Sequence, residues 1–240
     1  MQEAIPFNDL GRLSPSELDA LRESVGSTLE SGMYILGGQV SEFESRFSEY
    51  LTTDHTIGVG NGTDALRIAL LAVGVQPGDE VATVANAGGY STSAIRQIGA
   101  IPRYVDIDGS SLTMSVDALG RSFEILGPTR AVILTHLYGN PADALAVSMI
   151  CAAASVQLVE DCAQAAGTRI GDRLVGTFGS AGAFSFFPTK NLGAAGDAGA
   201  VTCQDQAVAD HARSIRQYGW GQKYFVETSG GMNSRMDEIQ

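Results

Sequence analysis

Three short segments carry residues whose types and spacing can act together. The first is FSFFPTKNLGAAGDAG, residues 184–199. Lys190 follows an apolar run and sits among small and apolar residues, where desolvation favours the neutral, nucleophilic form of an amine. Ser185 and Thr189 offer hydroxyls to an anion, and glycines at 193, 196 and 199 permit close backbone approach. Alone, Lys190 reads as an exposed turn lysine, as most lysines are. The second segment is VQLVEDCAQAAG, residues 156–167. Asp161 ends an apolar stretch, and a carboxylate buried there needs a cationic or hydrogen-bonding partner. Gln164 stands three residues on; alone, the pair reads as a helix cap and a surface amide. The third segment is GVGNGTDAL, residues 58–66. A glycine turn runs into a helix start at Thr63 and Asp64, where free amides and the helix dipole favour an anion. It is no Walker loop, lacking Gly-Lys-Ser/Thr, and no dinucleotide fingerprint, lacking the third glycine.

One ligand satisfies all three segments. It needs an aldehyde for Lys190, a protonated ring nitrogen for Asp161, a ring hydroxyl for Gln164, and a phosphate for the turn at Gly62, Thr63 and Asp64. Pyridoxal 5'-phosphate has all four groups. Tyr90, in NAGGYST, is placed to stack on the open ring face; a core or surface aromatic is the competing reading.

The elements that must position these residues alternate. Residues 1–12 lack periodicity and read as an arm. SPSELDALRESVGSTLESG reads as a helix capped by Ser14, with Glu17 completing the box and Leu18, Leu21 and Val25 as its apolar stripe. QVSEFESRFSEYLT is a second amphipathic helix with Phe43, Phe47 and Leu51 on one side. Strands are expected at HTIGVG, DEVATVAN, IPRYVDID, RAVILTHL, VQLVEDC, FGSAGAFSFF and AGAVTC. Helices fall between them at NGTDALRIALLAVGV, STSAIRQIGA, SVDALGRSF and ALAVSMICAAAS, the last reading as buried. The pattern predicts an α/β fold: three layers, α/β/α, with a mostly parallel central sheet. Ligands in such sheets bind beyond the C-terminal strand ends, where the three segments fall.

The 240 residues suffice for one large core, and 44% hydrophobic with 18% charged residues is a globular mixture. The net charge of −12 argues against nucleic acid and gives no support to a membrane surface. Cys151, Cys162 and Cys203 form no metal-ligand spacing with one another or with His55, His136 and His211, and read as buried apolar residues in a reducing compartment. With no signal pattern and no long apolar run, the expected location is the cytoplasm.

The sequence resembles the DegT/DnrJ/EryC1/StrS sugar aminotransferases, within the fold-type I pyridoxal-phosphate enzymes. GGQVSEFE, NGTDAL, VDID, HLYGNPAD, VEDCAQAAG, GAFSFFPTKNLGAAGDAG, YGWGQKY and GMNSRMDEIQ carry the resemblance in family order along nearly the whole chain. It implies that Lys190 is the Schiff-base lysine and Asp161 the partner of the pyridine nitrogen. It implies that Gln164 contacts the ring oxygen. Ser185, with the amides of Thr63 and of Gly62 or Asp64, would hold the phosphate. Asn233, in GMNSR, would reach the phosphate of the other subunit, so a homodimer with shared active sites is expected. Residues 13–240 would be the cofactor-binding large domain.

The implied reaction moves an amino group from glutamate, through pyridoxamine 5'-phosphate, to a nucleotide-linked keto sugar. YGWGQKY followed by GMNSR looks like members acting at the 3-keto position of a deoxysugar. Relatives with histidine at the lysine position are dehydratases; Lys190 favours transamination. Another pyridoxal-phosphate reaction, or a non-catalytic sensor that only binds the cofactor, remains the alternative. The family's ring-stacking aromatic falls nearest Gly89, with Tyr90 one step beyond. DEIQ reads as the interior of a helix, so a partial chain lacking most of a smaller C-terminal domain is expected.

Overall fold

A computed structural model describes residues 8–240. Most of the expected arm, residues 1–7, lies outside the described residues; residues 8–12 are exposed. In chain order the elements are α1 (Pro15–Ser31), α2 (Gly38–Leu51), β1 (His55–Val59), α3 (Gly62–Ala72), β2 (Glu80–Thr83), α4 (Tyr90–Gln97), β3 (Ile101–Tyr104), α5 (Val116–Leu126) and β4 (Ala131–Thr135). There follow α6 (Ala144–Ala153), β5 (Gln157–Asp161), β6 (Arg169–Ile170), β7 (Arg173–Leu174), β8 (Ala181–Ser185), β9 (Gly199–Cys203), α7 (Gln206–Arg216), β10 (Trp220–Gln222) and β11 (Phe225–Val226).

Seven strands form the central sheet in the order β1-β9-β8-β5-β4-β2-β3. The pairs β8–β5, β5–β4, β4–β2 and β2–β3 are parallel, while β9 runs antiparallel to both β8 and β1. Strand alternation sorts side chains onto two faces. Ile133 and Val159 join α3, α4 and α7 in one core; Val132, Leu134 and Leu158 join α5 and α6 in another. Phe184 and Ala200 pack on that second face against Val40, Phe47 and Leu51 of α2. The three-layer α/β/α expectation therefore holds.

Three local expectations change. The Ser14–Glu17 capping box forms, but Leu18 and Leu21 are exposed and Thr28 is the buried residue of α1. Val25, the third residue of the expected stripe, is half-buried. Only one face of α6 is buried, through Ala144, Val147 and Cys151, while Leu145 and Met149 face solvent. The DEIQ segment is a turn, not a helix. Asp237 bridges to Ile35, and the Glu238 carboxylate accepts the amides of Gly37 (2.7 Å), Gln39 (2.8 Å) and Val40 (3.1 Å). It caps α2, whose own N-cap, Gly37, has no side chain to do so. No described helix is long and apolar enough to cross a membrane.

Candidate active site

The parallel strands β4, β5 and β8 end at the same edge of the sheet, and their last residues, Thr135, Asp161 and Ser185, open into one cavity of about 410 Å³ together with the start of α3. Gly62, Thr63, Tyr90, Asp161, Gln164, Ser185 and Lys190 all line it. The three segments read from the sequence thus converge. Thr135, Leu137, Phe187 and Asp197 also line the cavity and were not anticipated. A polar residue ending an apolar strand was the available signal for Thr135, as it was for Asp161.

Gly62 opens α3, one residue earlier than expected, and Asn61 caps the helix by accepting the Asp64 amide at 2.8 Å. In the first turn, Gly62 and Thr63 have no intrahelical acceptor, so their amides can serve an anion. A Cβ on Gly62 would lie 2.5 Å from Ser185 Cβ. Only glycine lets the helix start press against the strand end carrying that hydroxyl. Ser185 Oγ lies 3.4 Å from the Phe187 amide, from which it accepts, leaving its proton to donate. Two amides and a hydroxyl thus form a cradle of phosphate character.

Asp64 does not belong to that cradle. Its amide is committed to Asn61, and its carboxylate accepts from Ser234 Oγ at 2.7 Å and Asn61 Nδ2 at 3.2 Å. Of the two amides paired with Thr63 in the sequence reading, Gly62 is the free one. Asn233 is exposed, bridges to Gln217 and does not line this cavity. YGWGQKY forms the β10–β11 hairpin, in which Tyr224, Phe225 and Val226 face solvent.

Asp161, only 5% exposed, accepts the Ala163 amide at 3.2 Å and the Thr135 hydroxyl at 3.3 Å. Burial pushes its carboxyl up, against the pull of these two bonds and of the nearby Lys190. A carboxyl in this state is suited to a cation entering the cavity. Lys190 is half-buried, its amide closing a tight turn onto the Phe187 carbonyl at 2.8 Å. Tyr90 is the first residue of α4, and it is 62% exposed at the cavity wall.

Behind Asp161 lies a fully buried pair that the sequence reading missed. His136 Nε2 donates to Glu160 at 3.1 Å, and its Nδ1 accepts the Ala142 amide at 3.1 Å. Glu160 also accepts the amides of Gly176 (2.9 Å), Phe178 (2.6 Å) and Gly179 (2.8 Å). Cys162 brings a third ligand-capable atom within 4.8 Å of these two. Both imidazole nitrogens and the carboxylate are already committed, and burial holds the Cys162 thiol well above its usual range. The cluster is a structural tie between β4, β5 and the loop before β8. All three cysteines are unpaired and buried, as expected.

The cavity at the C-terminal strand ends of this α/β sheet thus brings together a lysine, a buried aspartate and a helix start with free amides, the layout of a site for a small anionic ligand. The sequence pattern of the DegT/DnrJ/EryC1/StrS aminotransferase family matches residues 15–240, and the chain belongs to that family. It is 42% identical over 218 residues to dTDP-3-amino-3,4,6-trideoxy-alpha-D-glucose transaminase of Micromonospora megalomicea subsp. nigra, covering 91% of this chain and 58% of that one. The crystal structure of S. venezuelae DesV in complex with a ketimine intermediate matches with a TM-score of 0.93 and 40% identity, covering 98% of this chain and 63% of that one. NtdA from Bacillus subtilis, with bound cofactor PMP, matches at a TM-score of 0.90 and 29% identity, covering 98% and 54%. The chain spans less than two thirds of the length of each. The fold-type I expectation holds with these likenesses.

Proposed function

We propose that the protein transfers an amino group from glutamate to a nucleotide-linked keto-deoxysugar at its 3-position, using pyridoxal 5'-phosphate. One observation carries the reading: Lys190, Asp161, Gln164, Ser185 and the first-turn amides of α3 line a single cavity. When bound, the cofactor supplies an electron sink and carries the amino group as pyridoxamine 5'-phosphate between the two half-reactions. Lys190 supplies the amine that holds the aldehyde and afterwards moves the proton from the donor carbon. Asp161 holds the ring nitrogen protonated, its raised affinity for positive charge arising from burial. Gln164 donates to the ring oxygen. Gly62, Thr63 and Ser185 bind the phosphate, and Tyr90 covers the open ring face.

The sugar position is supported by the name of the 42%-identical relative, a 3-amino-sugar transaminase. Residues 13–240 act as the large domain, in the reducing cytoplasm that the unpaired cysteines suit. The working unit is a homodimer, supported by the exposure of Asn233 outside its own cavity and by the solvent-facing Leu18 and Leu21 of α1. Asn233 then serves the partner's phosphate.

The test adds pyridoxal 5'-phosphate to the purified protein and to Lys190→Ala, follows absorption, and then adds glutamate. The wild type should bind cofactor covalently and convert it to pyridoxamine 5'-phosphate; Lys190→Ala should do neither. A bound chromophore that glutamate leaves unchanged would point to a sensor and sink the transaminase reading. A panel of nucleotide keto sugars then identifies the acceptor.

A further inference from the structure

We infer that Gly88 is a positioning residue for the ring that covers the cofactor, holding Tyr90 against the cavity wall; the inference rests on the cofactor reading above. Gly88 is left-handed, with φ +72°. A Cβ built on it would lie 3.1 Å from Tyr90 Cε2 and 3.2 Å from Cδ2. The tyrosine ring therefore lies folded back on the glycine backbone, in the space a side chain would take. Helix geometry explains the direction. Tyr90 is the first residue of α4, and helical side chains tilt toward the N-terminus, here over the preceding turn.

The turn itself has little freedom. Asn86 Nδ2 donates to the Leu112 carbonyl at 2.8 Å, Ala87 is 7% exposed in the second core, and the Ser93 amide binds the Gly89 carbonyl at 2.8 Å. With both flanks pinned, a methyl group at position 88 is relieved most readily by the exposed ring, which must give way and lose its set place at the cavity wall.

The consequence falls on cofactor retention. Pyridoxal 5'-phosphate is tied covalently to Lys190, but pyridoxamine 5'-phosphate is not. Between half-reactions only the phosphate cradle, Asp161, Gln164 and the covering ring hold it. A residue that sets the ring's place should therefore act on affinity for the amine form.

Pyridoxamine 5'-phosphate is the probe, titrated calorimetrically into the cofactor-free wild type, Gly88→Ala, Tyr90→Ala and the double variant. Gly88→Asn is run beside them, since asparagine tolerates the left-handed conformation and isolates the added Cβ from backbone strain. Gly88→Ala and Gly88→Asn should each weaken binding on the order of tenfold, about as much as Tyr90→Ala. In the Tyr90→Ala background, Gly88→Ala should weaken it no further, because the ring it displaces is gone. Additive losses, or glycine variants that bind like the wild type, overturn the positioning role while leaving the cofactor reading intact. A wild type that does not bind the probe overturns both.

Discussion

The side-chain carbonyl of Gln164 accepts the backbone amide of Tyr138 at 2.8 Å. Tyr138 sits at φ +56°, unusual for a tyrosine, in the short turn after β4. That bond decides which end of the Gln164 amide is left for the cavity: the carbonyl is taken, so the NH₂ group is the free donor. Gln164→Glu keeps the bond to Tyr138 and replaces the donor with an acceptor. Cofactor affinity should fall by roughly tenfold or more, as losing a hydrogen bond worth about 1–3 kcal/mol implies. Equilibrium dialysis measures it, with the melting temperature expected to stay close to the wild type's. Unchanged affinity would remove Gln164 from the ring oxygen.

Two rules disagree about Gly62→Ala, and their sizes decide. Alanine is better than glycine inside a helix by about 1 kcal/mol. Against this, the new Cβ would lie 2.5 Å from Ser185 Cβ and 3.1 Å from its Cα, both inside contact distance. Overpacking of this kind costs about 1–3 kcal/mol, and the displaced helix start would carry the cradle amides with it. Gly62→Ala should therefore lower the urea midpoint and weaken binding of inorganic phosphate as well as of the cofactor. A stabilised variant with intact phosphate binding would refute the close-approach account.

Glu160→Ala is expected to be far worse than its distance from the cavity suggests. It would leave the amides of Gly176, Phe178 and Gly179 and the His136 Nε2 proton without an acceptor in a fully buried place. At about 1–3 kcal/mol for each orphaned donor, the loss rivals a domain's whole stability of about 5–15 kcal/mol. Little folded protein should be recovered. Glu160→Gln keeps one acceptor oxygen and should fold with a lowered melting temperature. An alanine variant as stable as the wild type would show the network to be dispensable.

What was legible in the sequence was local. Asp161 and Ser185 end strands and Lys190 lies in the loop that follows one, so alternating elements brought them to one sheet edge without knowledge of strand order. The antiparallel course of β9 was not readable, because AGAVTC has the same apolar pattern in either direction. Long-range partners were equally hidden. Glu238 caps a helix 198–201 residues away, so its segment looked like an unfinished helix. Tyr138 fixes Gln164 across 26 residues, and the Glu160–His136 tie spans 24. Asp64 looked like a cradle residue because a first-turn amide is normally free; the Asn61 cap, two residues before the expected helix start, had claimed it.

The raised carboxyl of Asp161 makes the stability of the cofactor-free protein depend on pH. Burial raises it from 3.8, so in the native state it keeps a proton that the unfolded chain releases. The unfolded state then binds fewer protons than the native state, and stability falls as pH rises from below 3.8 through the raised native value. Above that value the buried charge carries its full desolvation cost. Asp161→Asn has the same shape and no charge, and its carbonyl can still accept the Ala163 amide. Without cofactor, the variant should melt higher than the wild type at neutral pH, with the gap closing toward acid. At this chain length roughly 2–4 °C corresponds to 1 kcal/mol. With cofactor the order should reverse, since only the carboxylate gains an ion pair with the protonated ring. Turnover of the variant should drop on the order of 10²-fold or more for loss of that electrostatic support. Melting curves across pH, with and without pyridoxal 5'-phosphate, read both halves. A cofactor-free variant no more stable than the wild type at pH 7 would mean that the Asp161 charge is already compensated within the chain.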